Sequence, residues 1–327
     1  MADKLLQLQW AYCLVARLGW SLAAFPMHQN AKHVSDPETD LAILLGLYEE
    51  LGRLPESAEP ATVSIPRLFE TGRIRTIKDL EVELSREVRD NPYALLTRDG
   101  RSNLSPALPG FASVTRQLMG QARRQPQFEL PINRSVKHSI ALGRVKAPQA
   151  CIDVAVHVRR GDVSSFNLAH GFVALAEGNQ VVFDGQTHIQ HTPLSTFDDA
   201  MAEFRRGGRS VVVVSDGSTL GHQHALRRLD TIARQAMTRE RRQLLTSLRD
   251  ELHEIDPDRE IRAFADENNA QLVLGDGSNR SVVEHALLLA SANTVAYSKS
   301  MFPRVAKRYF GSADRPTLLN LSPGWKR

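Results

Sequence analysis

In the second half of the chain, apolar positions fall in short unbroken runs set between longer stretches in which they recur with helical spacing. The runs predict strands over Ile152–His157, Ser210–Ser215, Leu272–Gly275 and Thr294–Tyr297. The periodic stretches predict helices over Ser195–Arg206, Ser281–Ser291 and Met301–Tyr309, with helical segments around a charged middle between Leu220 and Glu254. Ser164 to Pro193 reads as a long loop. Strands that are apolar on both faces and alternate with helices specify a parallel sheet covered on both sides.

The first half is less regular. Leu5, Leu8, Tyr12, Val15 and Leu18 mark one face of a helix, and Gly19 is placed to stop it. Gln7, Gln9 and Arg17 interrupt this segment, so its clean apolar run is too short for a membrane span, and it does not read as a signal peptide. Ser21–Phe25 predicts a short buried strand. Ser35-Asp36-Pro37-Glu38 predicts the cap of a helix over Thr39–Leu51, closed by Gly52 and Pro55. Asp79–Arg89 is amphipathic and ends at Asn91-Pro92, Arg98–Pro109 is loop, and Phe111–Arg124 is helix. Arg144–Gln149 reads as the crossing between two domains.

At 327 residues and 42% hydrophobic, the chain can bury a large core, and two domains are expected. A net charge of +4 with a pI near 9.2 leaves no polyanion footprint. Arginines alternate with an acid in Thr238-Arg239-Glu240-Arg241-Arg242, which suits a solvated face, so nucleic acid is not an expected partner. The two cysteines, Cys13 and Cys151, lie far apart in apolar segments and read as buried free thiols of a reducing compartment. Neither His188/His191 nor His222/His224 has zinc spacing, and both pairs read as loop histidines. A cytoplasmic location, at most peripheral to a membrane, is the expectation.

The chemistry concentrates in His157-Val158-Arg159-Arg160-Gly161-Asp162, directly after the run Ile152–Val156. Two arginines there put fixed cations at the carboxyl edge of a sheet, where open α/β folds bind ligands. A guanidinium forks onto phosphate oxygens and keeps its charge at any working pH. Gly161 permits a sharp turn, and Asp162 can orient an arginine or accept a proton. The bland alternative is a pair of surface charges at the end of an ordinary strand.

This motif resembles the signature of the fucosyltransferase superfamily that includes α1,2-, α1,6- and protein O-fucosyltransferases. Val211–Gly217 is similar to the family's second motif, with Gly217 in place of a second aspartate, and Ser281–Phe302 to its third. The resemblance spans roughly residues 150 to 310. It implies an α/β fold of GT-B type, with two Rossmann-like domains and mainly parallel sheets. Residues 1–147 would form the acceptor-side domain, its usual first strand absent or replaced, and residues 148–327 the nucleotide-sugar domain. The implied activity is inverting, metal-independent transfer of fucose from GDP-fucose to a glycan acceptor, with no cofactor. Another nucleotide sugar, or a binding protein without activity, remains the alternative.

The resemblance also distributes roles. Arg159 clamps the diphosphate, and Arg160 shares that contact or braces the loop. His157 faces the nucleotide or simply packs at the strand end. Asp216 contacts the donor or serves as an acid at a helix start. Glu284 meets the guanine base. Ser298 and Ser300 cradle phosphate or cap the helix that follows. The general base is left open between Asp162, His170, an acid of the first domain and a transition state dissociative enough to need little base, because Ser164-Ser165-Phe166-Asn167 stands where α1,6 members have a glutamate.

Overall fold

The computed structural model describes residues 1–29, 34–89, 91, 93–97, 108, 110–148, 152–176, 180–182, 191–312 and 314–322. Cys151, His188 and all but one residue of the expected 98–109 loop fall outside them. The chain divides into two compact units, one of Ala2–Phe25 with Gly46–Ser135 and one of Met1, Pro26–Leu45 and Val136–Arg327. The units therefore part inside the helix Ile132–Ala141, whereas the sequence places the boundary after residue 147.

The first unit is mainly helical. Helix α1 (Ala2–Arg17) buries Leu5, Leu8, Trp10, Cys13, Leu14 and Val15. Strands β1 (Ala61–Ser64) and β2 (Ala94–Thr97) pair in parallel, and between them runs α2 (Ile77–Val88), opened by a capping box of Thr76 and Asp79. Helix α3 (Phe111–Arg124) has the limits the sequence predicts. Leu80, Leu84 and Val88 of α2 and Val114, Leu118 and Ala122 of α3 meet Trp10, Cys13 and Leu14 of α1 in one core. The free thiol of Cys13 lies within it. Gln9, read as a polar interruption, is fully buried instead: its amide donates to Phe128 O at 2.7 Å and accepts from Leu130 N at 2.9 Å. Ser21–Phe25 is no strand. It makes a single bridge, Ala24 to Arg53, and Phe25 is exposed.

The second unit is built on a five-stranded sheet, all parallel. Its elements in chain order begin with β3 (Ile152–Val158), β4 (Ser165–Leu168), β5 (Gly171–Ala176), β6 (Gln180–Val182), α4 (Asp198–Arg206) and β7 (Val211–Ser215). They continue with α5 (Thr219–Gln235), α6 (Arg239–Glu254), α7 (Arg259–Glu267), β8 (Gln271–Leu274), α8 (Asn279–Ser291), β9 (Ala292–Tyr297), α9 (Phe302–Phe310) and β10 (Thr317–Asn320). Val154, Val156, Val158, Val211 and Val213 pack against α4 and α7 on one face. Ala155, Val212 and Val214 pack against Ala286 and Leu289 of α8 and Ala306 of α9 on the other. Burial on both faces is what the unbroken apolar runs specify, and each fully buried valine contributes about 1.5–3 kcal/mol.

Three expectations change here. Much of the predicted loop 164–193 is an antiparallel sheet in the order β4-β5-β6. Phe166, Val173 and Leu175 on one of its faces cover Ala225 and Leu229 of α5 and Leu245, Leu248 and Leu252 of α6. The predicted helix Thr39–Leu51 is broken at Gly46, which takes φ +67° between the short helices Leu41–Leu44 and Leu47–Leu51. Its cap is Asp40, whose carboxylate accepts from Ala42 N. His222 and His224 are not loop residues but lie within α5, where His222 Nε2 meets Leu252 O.

Candidate active site at the switch point of the sheet

The strand order β10-β9-β3-β7-β8 decides where a ligand fits. Counted along the chain, these strands run 5-4-1-2-3 in space, the arrangement of doubly wound nucleotide-binding sheets. Chain direction across the sheet reverses between β3 and β9, and ligands of such folds sit outside the carboxyl ends at that switch point. His157 of β3 stands in register with Tyr297 of β9. The Arg-Arg motif and Ser298-Lys299-Ser300 therefore leave the sheet side by side.

The turn after β3 is held by hydrogen bonds of Arg160, Gly161 and Asp216. Arg160 is 3% exposed, and its guanidinium donates to the carbonyls of Arg159 and Thr192, each at 3.0 Å. Burial pushes its pKa down against the opposing pull of Glu260 and Asp216. These bonds brace the turn, one of the two roles expected of Arg160. The carboxylate of Asp216 accepts from Arg160 N at 2.7 Å, so it also holds the turn. Gly161 has φ +57° and donates to Gly217 O at 2.6 Å. A Cβ there would lie 2.6 Å from Asp216 Oδ2. Helix α5 presses on the same turn through Gly221, whose added Cβ would lie 2.1 Å from Gly161 O. Arg159 emerges half-buried from this frame.

His157 is packed. Its ring lies 5.5 Å from that of Phe302, and its buried Nδ1 has no hydrogen-bond partner among the described residues. Burial, with smaller contributions from His285 and Arg159, drives its pKa to about 3. His285 on α8 is likewise lowered to about 4 by burial. Both imidazoles are neutral at neutral pH.

The serines after β9 hold their own turn. Ser298 Oγ lies 2.5 Å from Ser322 Oγ, and Ser300 Oγ accepts from Phe302 N at 3.2 Å, while the N-cap of α9 is Met301. Glu284 Oε1 accepts from Lys146 N at 2.9 Å. His170 sits at the β4–β5 turn, where Glu251 accepts from its ring and from the amides of Ala169 and His170. The side chain of Asp162 lies outside the described residues.

Several residues of this edge escaped the sequence reading. Asp258 accepts from Ser218 N at 2.5 Å and Thr219 Oγ1 at 3.1 Å, across 40 positions of chain. Asp36 accepts from Asn279 N at 2.7 Å. His191 and Thr192 supply the carbonyls that hold Lys299 and Arg160. The one available signal was the placement of Lys299 between two serines already singled out.

Two open concavities, about 570 Å³ along α3 and about 520 Å³ between the β4–β5 turn and α6, are lined by none of the switch-point residues. Topology and charge, rather than size, select the site. Among the described residues no group of three or more His, Cys, Asp or Glu is placed to hold a metal ion, and no helix is long and apolar enough to cross a membrane. No protein-family model matches the chain, and no curated protein or solved structure matches it either.

Proposed function

We propose that this chain is a glycosyltransferase of fucosyltransferase type, which moves fucose with inversion from GDP-fucose to a sugar hydroxyl of a glycan acceptor and needs no metal ion. The observation that carries this reading is the position of Arg159, half-buried at the switch point on a turn that Arg160, Asp216, Gly161 and Gly217 already hold together. The bond from the sugar's anomeric carbon to the diphosphate oxygen breaks with both electrons going to GDP. A guanidinium at that point neutralises charge that grows as the leaving group departs, and it does so without reorganising. The acceptor oxygen forms the new bond from the opposite face and gives its proton to a base, a role we assign to Asp162. The GT-B arrangement belongs to this reading, with the second unit as the donor side. Glu284 is its guanine contact, because a carboxylate matches the two N–H donors on that base's edge.

A second reading, a nucleotide-sugar-binding protein without transferase activity, draws support from Asp216 and Glu284, which both accept backbone N–H groups. A thermal-shift panel followed by turnover separates the two. The transferase reading expects GDP to raise the melting temperature more than UDP or ADP, and expects GDP-fucose turnover to survive a chelator. Equal shifts from all three nucleotides would remove the guanine assignment. GDP binding with neither hydrolysis nor transfer would favour the binding protein.

A further inference from the structure

We infer that Lys299 is the second cation of the switch-point site and makes it select a nucleoside diphosphate over a monophosphate. The inference rests on the proposed function and names a residue to which that reading gives no role. Three non-glycine residues among those described have positive φ: Arg89, Asn269 and Lys299. Asn269 follows the end of α7, where a left-handed residue commonly closes a helix, and Arg89 is the C-cap of α2. Lys299, at φ +45°, instead stands between a strand and the start of a helix, in a conformation that glycine would adopt without strain. Backbone strain kept at such a place points to a demand on the side chain.

What that side chain does is visible in its contacts. Its Nζ donates to His191 O at 3.2 Å, and among the described residues no carboxylate pairs with it. A carbonyl orients the ammonium but cancels none of its charge. Ser298 and Ser300 on either side are buried, with their hydroxyls engaged by Ser322 Oγ and Phe302 N. The turn therefore spends its hydroxyls on its own shape and presents the lysine.

Register supplies the spacing. Lys299 and Arg159 each lie two residues along the chain from the paired Tyr297 and His157, just past the ends of β9 and β3, strands that neighbour at about 4.8 Å. Two cations on facing strand ends suit an anion with two charged centres. A monophosphate would engage one of them.

Calorimetric titration of GDP, GMP and guanosine into wild type, Lys299→Gly and Lys299→Arg tests the inference. Loss of one charge-assisted contact should weaken GDP binding about tenfold or more in Lys299→Gly, while GMP and guanosine change little. Lys299→Arg should recover part of the GDP affinity. Without ligand, Lys299→Gly should melt no lower than wild type, since glycine relieves the strained φ. Equal GDP affinity in wild type and Lys299→Gly would overturn the inference and leave the function reading standing. Equal loss for all three ligands with a lowered melting temperature would show a structural lysine and also overturn it. A wild type that binds none of the three would remove the function reading and the inference together.

Discussion

The turn that leaves β7 and the turn that leaves β9 occupy equivalent places, each carrying the chain from a parallel strand to a helix start at one sheet edge, yet their charges are opposite. After β7, the amide of Ser218 and the hydroxyl of Thr219 donate to the buried carboxylate of Asp258, so the start of α5 carries its own anion. The start of α8 is similarly supplied by Asp36. After β9, the hydroxyl of Ser300 accepts from Phe302 N at the start of α9, and the ammonium of Lys299 donates to His191 O. Since a helix start favours negative charge, the first turn is electrostatically complete, and the second is the one we propose receives an anion. One topology thus serves stability at β7 and, in our proposal, binding at β9.

The largest expected effect breaks the packing of α5, which follows the β7 turn, on the turn after β3. Gly221→Ala would set a methyl group 2.1 Å from Gly161 O and 2.8 Å from Ser164 Oγ. Two backbones cannot yield as a flexible side chain would, so the cost should reach about 3 kcal/mol, the upper end for overpacking. Chemical denaturation measures it, and a wild-type midpoint would show that α5 and the β3 turn move apart freely. Asp258→Ala comes next and sharpens the contrast. Leaving Ser218 N and Thr219 Oγ1 without their acceptor should cost about 1–3 kcal/mol, with GDP affinity unchanged. Lys299→Gly should do the reverse, losing affinity and not stability. Both variants failing in the same measurement would erase the distinction between the turns.

Acid should act through the histidines near α9. His157 and His285 have folded pKa values of about 3 and about 4, depressed below their ordinary 6.5 by burial. Between those values the unfolded chain binds protons that the folded one refuses. Their stabilisation is therefore complete above pH 6.5 and is lost as pH falls toward 4 and then 3, at up to about 1.4 kcal/mol per pH unit for each group. The urea midpoint should drop between pH 7 and pH 5, and His157→Phe should flatten that dependence. An unchanged slope in the variant would place the acid response elsewhere.

The contrast between the turns also marks how far the sequence could be read. β3, β7 and β9 were legible because a strand buried on both faces leaves an unbroken apolar run. The β4–β6 sheet was not, because the alternation of Phe166 with Asn167 is cut short by Ala169-His170-Gly171. Helix α7 and edge strand β10 were also missed, the former under its charges and the latter for its brevity. At the site, Arg159, Arg160 and Gly161 were legible because they are contiguous. The work of Asp258, Asp36 and Thr192 was hidden, because each acts on a residue tens of positions away. Gly217 could be seen only as a departure from a motif. Its φ of +70°, with Asp258 Oδ1 3.3 Å from where a Cβ would sit, explains why the β7 turn has no side chain there.

The central claim is that Arg159 stabilises the departing diphosphate at the switch point, and steady-state turnover of Arg159→Ala with GDP-fucose and a competent acceptor tests this most directly. The account predicts a fall in kcat of about 10²–10³-fold, as for other lost donors to developing negative charge, with partial recovery in Arg159→Lys and an unchanged melting temperature in both variants. Wild-type turnover by a folded Arg159→Ala enzyme would contradict it.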